Sequence, residues 1–336
     1  MGIWTSYRLR WQRRILRWRA LGKRAELAPV ADRTKRIRRS DLLVFATQRN
    51  EARRLPYFLE HYRRMGVGHF LIVDNDSTDG GDRFLAAQPD VSLWRSTASY
   101  RRARFGMDWM NALLTRYGHG HWCLTVDPDE LFVFPFCDTR PLRALTDWLD
   151  ASRIRSFSAM LLDMYPKGPL DACRYQPGQN PMEIACWFDA GNYAMTRNSA
   201  LGNLWIRGGP RARSFFADVP EQAPALNKIP LVRWHRRFAY VSSTHMLLPR
   251  GLNAVYDEWG GEKASGILLH TKLLDGFAAR AEEEVRRGEH YGAAREYRAY
   301  AREAARNPDF WCPHSERFLN WRQLEVLGLM SKGNWA

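Results

Sequence analysis

Three carboxylates crowd into Asp127-Pro128-Asp129-Glu130, directly behind the apolar run Trp122-Cys123-Leu124-Thr125-Val126. Like charges this close repel one another unless a cation or open water relieves them. Hard divalent cations such as Mn2+ or Mg2+ take oxygen ligands and bridge to phosphate oxygens, which is the chemistry this pattern suits. An acidic surface loop or a helix N-terminus carries the same spacing, so the neighbours must decide. Two further polar clusters also follow apolar runs: Gln48-Arg49-Asn50-Glu51, and Asp74-Asn75-Asp76 continuing to Asp79. Arg101, Arg102 and Arg104 offer planar forks that match phosphate oxygens bidentately, with Arg104 the expected contact. His270 closes the run Gly266-Ile267-Leu268-Leu269, with Lys272 two residues on. A neutral imidazole suits Mn2+ better than Mg2+, although a core histidine satisfied by its neighbours fits the same pattern. His245, in Ser243-Thr244-His245, has the same two readings, and Lys272 is either a diphosphate partner or a solvated lysine.

The elements that must position these groups are legible around them. Leu42–Ala46, His69–Val73, Val91–Trp94 and Trp122–Val126 are short apolar runs that read as buried strands. Between them, Glu51–Met65 has Leu55, Phe58, Leu59, Tyr62 and Met65 on one helical face, and Gly106–Tyr117 reads as another helix. Alternating strands and helices predict an α/β protein with a parallel sheet covered on both faces, whose ligands bind beyond the carboxyl ends of the strands. Three such ends carry the polar clusters. Beyond residue 150 there are shorter β-like runs, and from Thr271 to about Arg306 a charged helical pattern.

In order and spacing, Phe45 to Glu51, Phe58 to Tyr62, Met65 to Val67, Val73 to Asp79 and Leu124 to Glu130 resemble the family-2-like glycosyltransferases of the GT-A fold. The likeness is specific over about 41–135 and looser through Lys228 to Val232, Ser243 to His245 and Leu269 to Lys272. It implies a Rossmann-like mixed sheet flanked by helices, with a helical C-terminal extension. It also implies a metal-dependent, inverting transfer of a sugar from a nucleotide-diphosphate donor, UDP-sugar favoured, to a hydroxyl on a glycan or lipid-linked acceptor. Asn50 and Glu51 would meet the nucleotide, and Asp74, Asn75 and Asp76 would hold base and ribose. Asp127 would serve ribose and metal, Asp129 the metal directly, and His270 would complete the metal sphere. Glu130 stays open between ligand and supporting roles. Pro128, which replaces an aliphatic or Asp residue of the family pattern, implies a rigid turn. Such a transfer needs a carboxylate to deprotonate the acceptor. Asp189, Asp218, Asp257 and Glu258 are candidates, and Asp189, beside Trp187-Phe188, is the one chosen. The alternative is a nucleotide-sugar-binding or scaffold protein that keeps the fold without catalysis.

Residues 1–40 hold thirteen basic against two acidic residues, which accounts for 11 of the net charge of +15. The basicity therefore belongs to this segment, and no nucleic-acid-binding motif accompanies it, so no nucleic-acid partner is expected. Within it Trp4, Tyr7, Trp11, Ile15 and Trp18 share one helical face, as an interfacial helix on anionic lipid requires; a disordered tail or a helix docked on the protein is the other reading. The five cysteines lack metal or disulfide spacing, and no apolar run reaches the roughly 20 residues that span a bilayer. A cytoplasmic protein is expected, with peripheral contact at the inner membrane face. The divisions predicted are a basic segment 1–40, a GT-A-like domain 41–272 split near 135 into nucleotide and acceptor halves, and a helical extension 273–336.

Overall fold

The computed structural model describes residues 3–256, 263–289 and 299–335, so the candidates Asp257 and Glu258 lie outside the described residues. In chain order the first elements are α1 (Ile3–Lys23), β1 (Ala28–Ala31), β2 (Leu42–Gln48), α2 (Leu55–Arg64), β3 (Val67–Asp74), α3 (Gly81–Ala86) and β4 (Val91–Arg95). Next come α4 (Met107–Tyr117), β5 (Trp122–Thr125), β6 (Glu130–Val133), α5 (Leu142–Ala151), β7 (Ser156–Asp163), β8 (Trp187–Asp189), β9 (Tyr193–Asn198) and β10 (Asn203–Gly208). The chain continues with α6 (Gly209–Phe215), β11 (Asn227–Arg233), β12 (Ala239–Ser242), β13 (Met246–Leu248), β14 (Ser265–His270), α7 (Phe277–Arg287), β15 (Ser315–Arg317) and α8 (Trp321–Val326).

A nine-stranded mixed sheet in the order β1-β4-β3-β2-β5-β11-β7-β14-β6 organises these elements. Strands β4, β3, β2 and β5 run parallel, as the alternating pattern predicts. Beyond β5 the sheet becomes mixed: β11 is antiparallel to both β5 and β7, β14 is parallel to β7, and β6 is antiparallel to β14. The continuous apolar runs are explained by burial on both faces. Successive side chains of a strand point to opposite sides. Thus Leu42, Val44 and Ala46 of β2 enter one core with α2 and α5, while Leu43 and Phe45 enter the other beneath α4.

Helix α2 begins later than the pattern from Glu51 suggests, because residues 52–54 form a turn in which the Arg54 amide donates to the Glu51 carbonyl (2.8 Å). The described part of the basic segment, residues 3–40, packs on the body. Helix α1 buries Leu9 and Leu16 against β12 and β13, each leucine contributing about 1.5–3 kcal/mol, and Ala20 is buried on the same face. Arg19 pairs with the buried Asp108 of α4 at 2.9 Å, and β1 completes the sheet edge against β4. No helix among the described residues is long and apolar enough to cross a membrane.

Candidate active site

The carboxyl ends of β2, β3 and β5 and the end of β14 meet at one cleft of about 190 Å3, lined by Asn50, Glu51, Asn75, Asp127, Asp129 and His270 among others. Strand register sets this meeting. Gln48 lies opposite Asp74, and His270 lies opposite Glu130 on one side and Asp163 on the other. Asn50 and Asp76 take left-handed backbone at these strand ends (φ 51° and 60°), a conformation Asn and Asp tolerate better than most residues.

The acidic run forms a tight turn. The Glu130 amide donates to the Asp127 carbonyl (3.0 Å), so Pro128 occupies the turn position its fixed φ suits, as the sequence implies. The three carboxylates then part company. Glu130 points inward, 2% exposed, to an ion pair with Lys228 at 3.1 Å, and its Oε2 accepts the Asp127 amide. Asp127 opens to the cleft. The surrounding walls, then the charge of Glu130, push its carboxyl up; cleft water screens part of this, and Lys228 opposes it. Asp129 faces His270, whose Nε2 lies 3.3 Å from its Oδ2. Enclosure acts against the Asp129 anion, yet His270 and then Arg54 hold its carboxyl well below the ordinary range.

His270 is the better-supported group. Its Nδ1 meets Asp163 Oδ1 at 2.6 Å, and the other Asp163 oxygen accepts from Arg211 Nε at 2.7 Å. Burial works to lower the His270 pKa, but Asp129 and Asp163 outweigh it, and the net shift is upward. A carboxylate on one ring nitrogen is the arrangement that fixes a ligating histidine with its other nitrogen forward. Asp163 escapes sequence reasoning; a charged residue closing the apolar run Ala159–Leu162 is its one signal.

Among the described residues no three His, Cys, Asp or Glu side chains are grouped so as to hold a metal ion alone. The wall of Asp127, Asp129 and His270 fits a different kind of binding. Mg2+-like cations are commonly held by one or two carboxylates together with substrate phosphates and water. The donor set, two carboxylates open to a cleft and one oriented imidazole, matches that use.

The nucleotide-side candidates divide. Asn50 and Asn75 line the cleft. Glu51 does too, bound by Arg54 (2.7 Å) and by Arg280 (3.2 Å). Asp74 sits behind them, 1% exposed, accepting from Gln48 and Ser77, and burial raises its pKa. Asp76 is half-exposed and paired with Arg95. Lys272 lines the cleft, its Nζ 5.4 Å from the Tyr300 ring centroid. Arg104 is not among the lining residues: its guanidinium turns to the Val241 carbonyl and Asp108. His245 is half-buried with its ring nitrogen against the Asn227 carbonyl, its pKa lowered to about 3 by desolvation and Lys228.

Asp189 lies on β8, outside the cleft lining, where Arg213 holds both its oxygens (2.8 and 3.1 Å) and the Tyr165 hydroxyl donates to one of them. Asp218 is exposed beyond α6.

Helix α7 crosses the cleft mouth. Asn50 donates to Glu283 (3.3 Å) and Arg280 to Glu51 (3.2 Å), while Arg287 donates to Asn75 (3.4 Å). Just past the helix, Glu289 accepts from the Ser99 hydroxyl (2.7 Å) and the Arg101 amide (2.8 Å). The loop carrying Ser99 and Tyr100 closes on the cleft at Gly106, in left-handed backbone (φ 75°), where a Cβ would meet Thr47 Oγ1 and the Tyr100 ring at 3.0 Å.

The chain matches no family model and no curated protein. Solved structures that match include the mannosyltransferase PcManGT from Pyrobaculum calidifontis in complex with GDP-Man and Mn2+ (20% identity, 50% of this chain and 48% of that chain, TM-score 0.27). Others are a 4-diphosphocytidyl-2C-methyl-D-erythritol synthase (16% identity, 42% and 66%, TM-score 0.26) and a putative glucose-1-phosphate thymidylyltransferase from Bacillus anthracis (6%, 42% and 65%, TM-score 0.25). The chain spans about half of the first and just under two thirds of the other two. Superpositions this loose say nothing of the reaction.

Proposed function

We propose that the protein is a metal-dependent glycosyltransferase of the family-2-like GT-A kind, moving a sugar from a nucleotide diphosphate, UDP favoured, to a hydroxyl on a glycan or lipid-linked acceptor. One observation carries the reading: Asp127, Asp129 and an Asp163-braced His270 share a cleft with Asn50 and Asn75. Asp127, Asp129 and His270 would hold Mn2+ or Mg2+, which, bound to the diphosphate, offsets charge on the leaving group. Asn50, Glu51, Asn75 and Asp76 would meet the nucleoside, with Asp74 fixing Gln48 and Ser77 behind them, and Lys272 would stand by the phosphates. Arg104 would join those phosphates only by leaving Asp108 and the Val241 carbonyl. Asp189 would take the acceptor proton, with inversion, only after parting from Arg213. The working location is the cytoplasm, with residues 1–40 against the inner face of a membrane.

A second reading, a nucleotide-sugar-binding protein without turnover, is favoured by α7, whose side chains already engage Asn50, Glu51 and Asn75. Thermal-shift titration with UDP-, GDP- and CMP-sugars, with and without Mn2+, followed by donor-hydrolysis assays, separates the two. The transferase reading expects a metal-dependent shift and a turnover that collapses in Asp129→Ala with unchanged circular dichroism. Full activity of that variant would refute the metal assignment, and a shift without turnover would favour the binding protein.

A further inference from the structure

Helix α1 is docked by one face only. Leu9, Leu16 and Ala20 are buried, and the opposite face presents Trp4, Tyr7, Trp11, Ile15, Trp18 and Leu21 to solvent, 85%, 63%, 54%, 44%, 75% and 56% exposed. At 3.6 residues per turn these six fall within a sector of roughly 120°, along about 25 Å of helix. A contiguous aromatic stripe of that size on a surface marks an interaction site rather than scattered apolar residues. Cations border and enter it: Arg8 flanks one side and Arg10 the other, Arg14 lies within the sector between Leu21 and Tyr7, and all three are exposed.

We propose that this face seats α1 in the interface of a bilayer containing anionic phospholipid, with the aromatic rings at headgroup depth and the arginines on the phosphates. Charge decides the occupant. Residues 1–25 carry eight basic and no acidic side chains. A second copy of the chain laid face to face on the stripe would set arginine against arginine, whereas an anionic bilayer supplies the opposite charge. Three tryptophans and a tyrosine are also the residues that prefer the membrane–water boundary. The body holds the helix in place through the Arg19–Asp108 pair (2.9 Å) and the Arg19 bond to the Arg102 carbonyl (3.1 Å). Arg102 lies two residues from Tyr100, a wall of the cleft. The inference deepens the proposed function, and in this last respect rests on it: the cleft is held beside the headgroups, where a lipid-linked acceptor hydroxyl would be presented.

The test uses the full chain with phosphatidylcholine vesicles, with and without phosphatidylglycerol, read by co-sedimentation and by tryptophan emission. Binding to the anionic vesicles alone is expected, with blue-shifted emission and weakening in salt. The variant W4A/W11A/W18A, altered only at exposed positions, and R8Q/R10Q/R14Q should each bind about tenfold or more weakly. Three outcomes would overturn the proposal: no partition of the full chain, unchanged binding of the tryptophan variant, or equal binding to uncharged vesicles. A dimer in sedimentation velocity that the tryptophan variant abolishes would do the same, assigning the stripe to a second copy. The nucleotide-sugar thermal shift, measured on the same samples, reports on the cleft. Vesicle binding without that shift keeps the membrane face and removes the transferase reading; the converse removes only the membrane face.

Discussion

The pair Lys228–Glu130 lies beneath the acidic turn, and its removal gives the sharpest energetic forecast. Both side chains are enclosed, 6% and 2% exposed, with nitrogen and oxygen 3.1 Å apart. At that separation and an effective dielectric near 20, the attraction is about 5 kcal/mol. Lys228→Met keeps much of the lysine's volume but strands the Glu130 charge beside Asp127, and stranding a buried partner typically costs about 3–5 kcal/mol. Against a total stability of about 5–15 kcal/mol, that is a large share. Urea unfolding followed by circular dichroism should therefore show a much lower midpoint with an unchanged slope. The double variant Glu130→Gln/Lys228→Met removes both charges and should recover most of the loss. A single-variant cost below about 1 kcal/mol, or a double variant no better than the single, would show that the pair is not the closed contact described.

Asp163→Asn also strands the buried Arg211 guanidinium, so a lower urea midpoint is expected, and in the folded protein it should loosen His270, weakening Mn2+ binding about 10–100-fold by calorimetry; unchanged affinity would remove Asp163 from the site. The folded Asp127 carboxyl is raised from 3.8 to about 7, so the stability it lends is full below about 4 and lost as pH rises through about 7. Asp129 is shifted the opposite way, so its contribution is lost only in strong acid. The urea midpoint of the metal-free chain should thus fall between mildly acid and mildly alkaline pH, and Asp127→Asn should flatten that slope. Mn2+ should bind more tightly at the alkaline end, with proton release on binding. A slope unaltered in the Asn variant would refute the assignment.

Local chemistry was legible where the chain keeps its signals close together. Strands β2, β3, β4 and β5 are apolar runs with polar stops, and those stops hold Asn50, Asn75 and Asp127. The turn at Pro128 followed from one residue's fixed φ. What escaped depends on partners far along the chain. Asp163 meets His270 across 107 residues, and Glu51 meets Arg280 across 229. Periodicity cannot announce that β11 enters antiparallel between β5 and β7, since its buried run reads the same in either direction. Arg104 and Asp189 have suitable chemistry, but residue type does not say where a side chain points. In the structure Val241 and Arg213 decide it. The outward stripe of α1 was readable from spacing. Its docking through Leu9 and Leu16 was not, because the strands that receive them lie more than two hundred residues on.

The place of β14 in the sheet has a consequence for how the protein is made. It is the last strand of the large sheet to be synthesised, yet it sits between β7 and β6, and His270 is its final residue. A nascent chain can lay down the parallel core and expose Asp127 and Asp129 well before their imidazole neighbour exists. At bacterial or eukaryotic elongation rates, the 141 residues from Asp129 to His270 take roughly 7–28 s. Once β11 has joined β5 to β7, the growing chain still lacks the strand between β7 and β6, whose facing edges stay unpaired until β14 arrives. Holding β14 on the ribosome with a stalling sequence should leave a chain with a formed parallel core and no high-affinity Mn2+ binding, until the last strand is released and slots in.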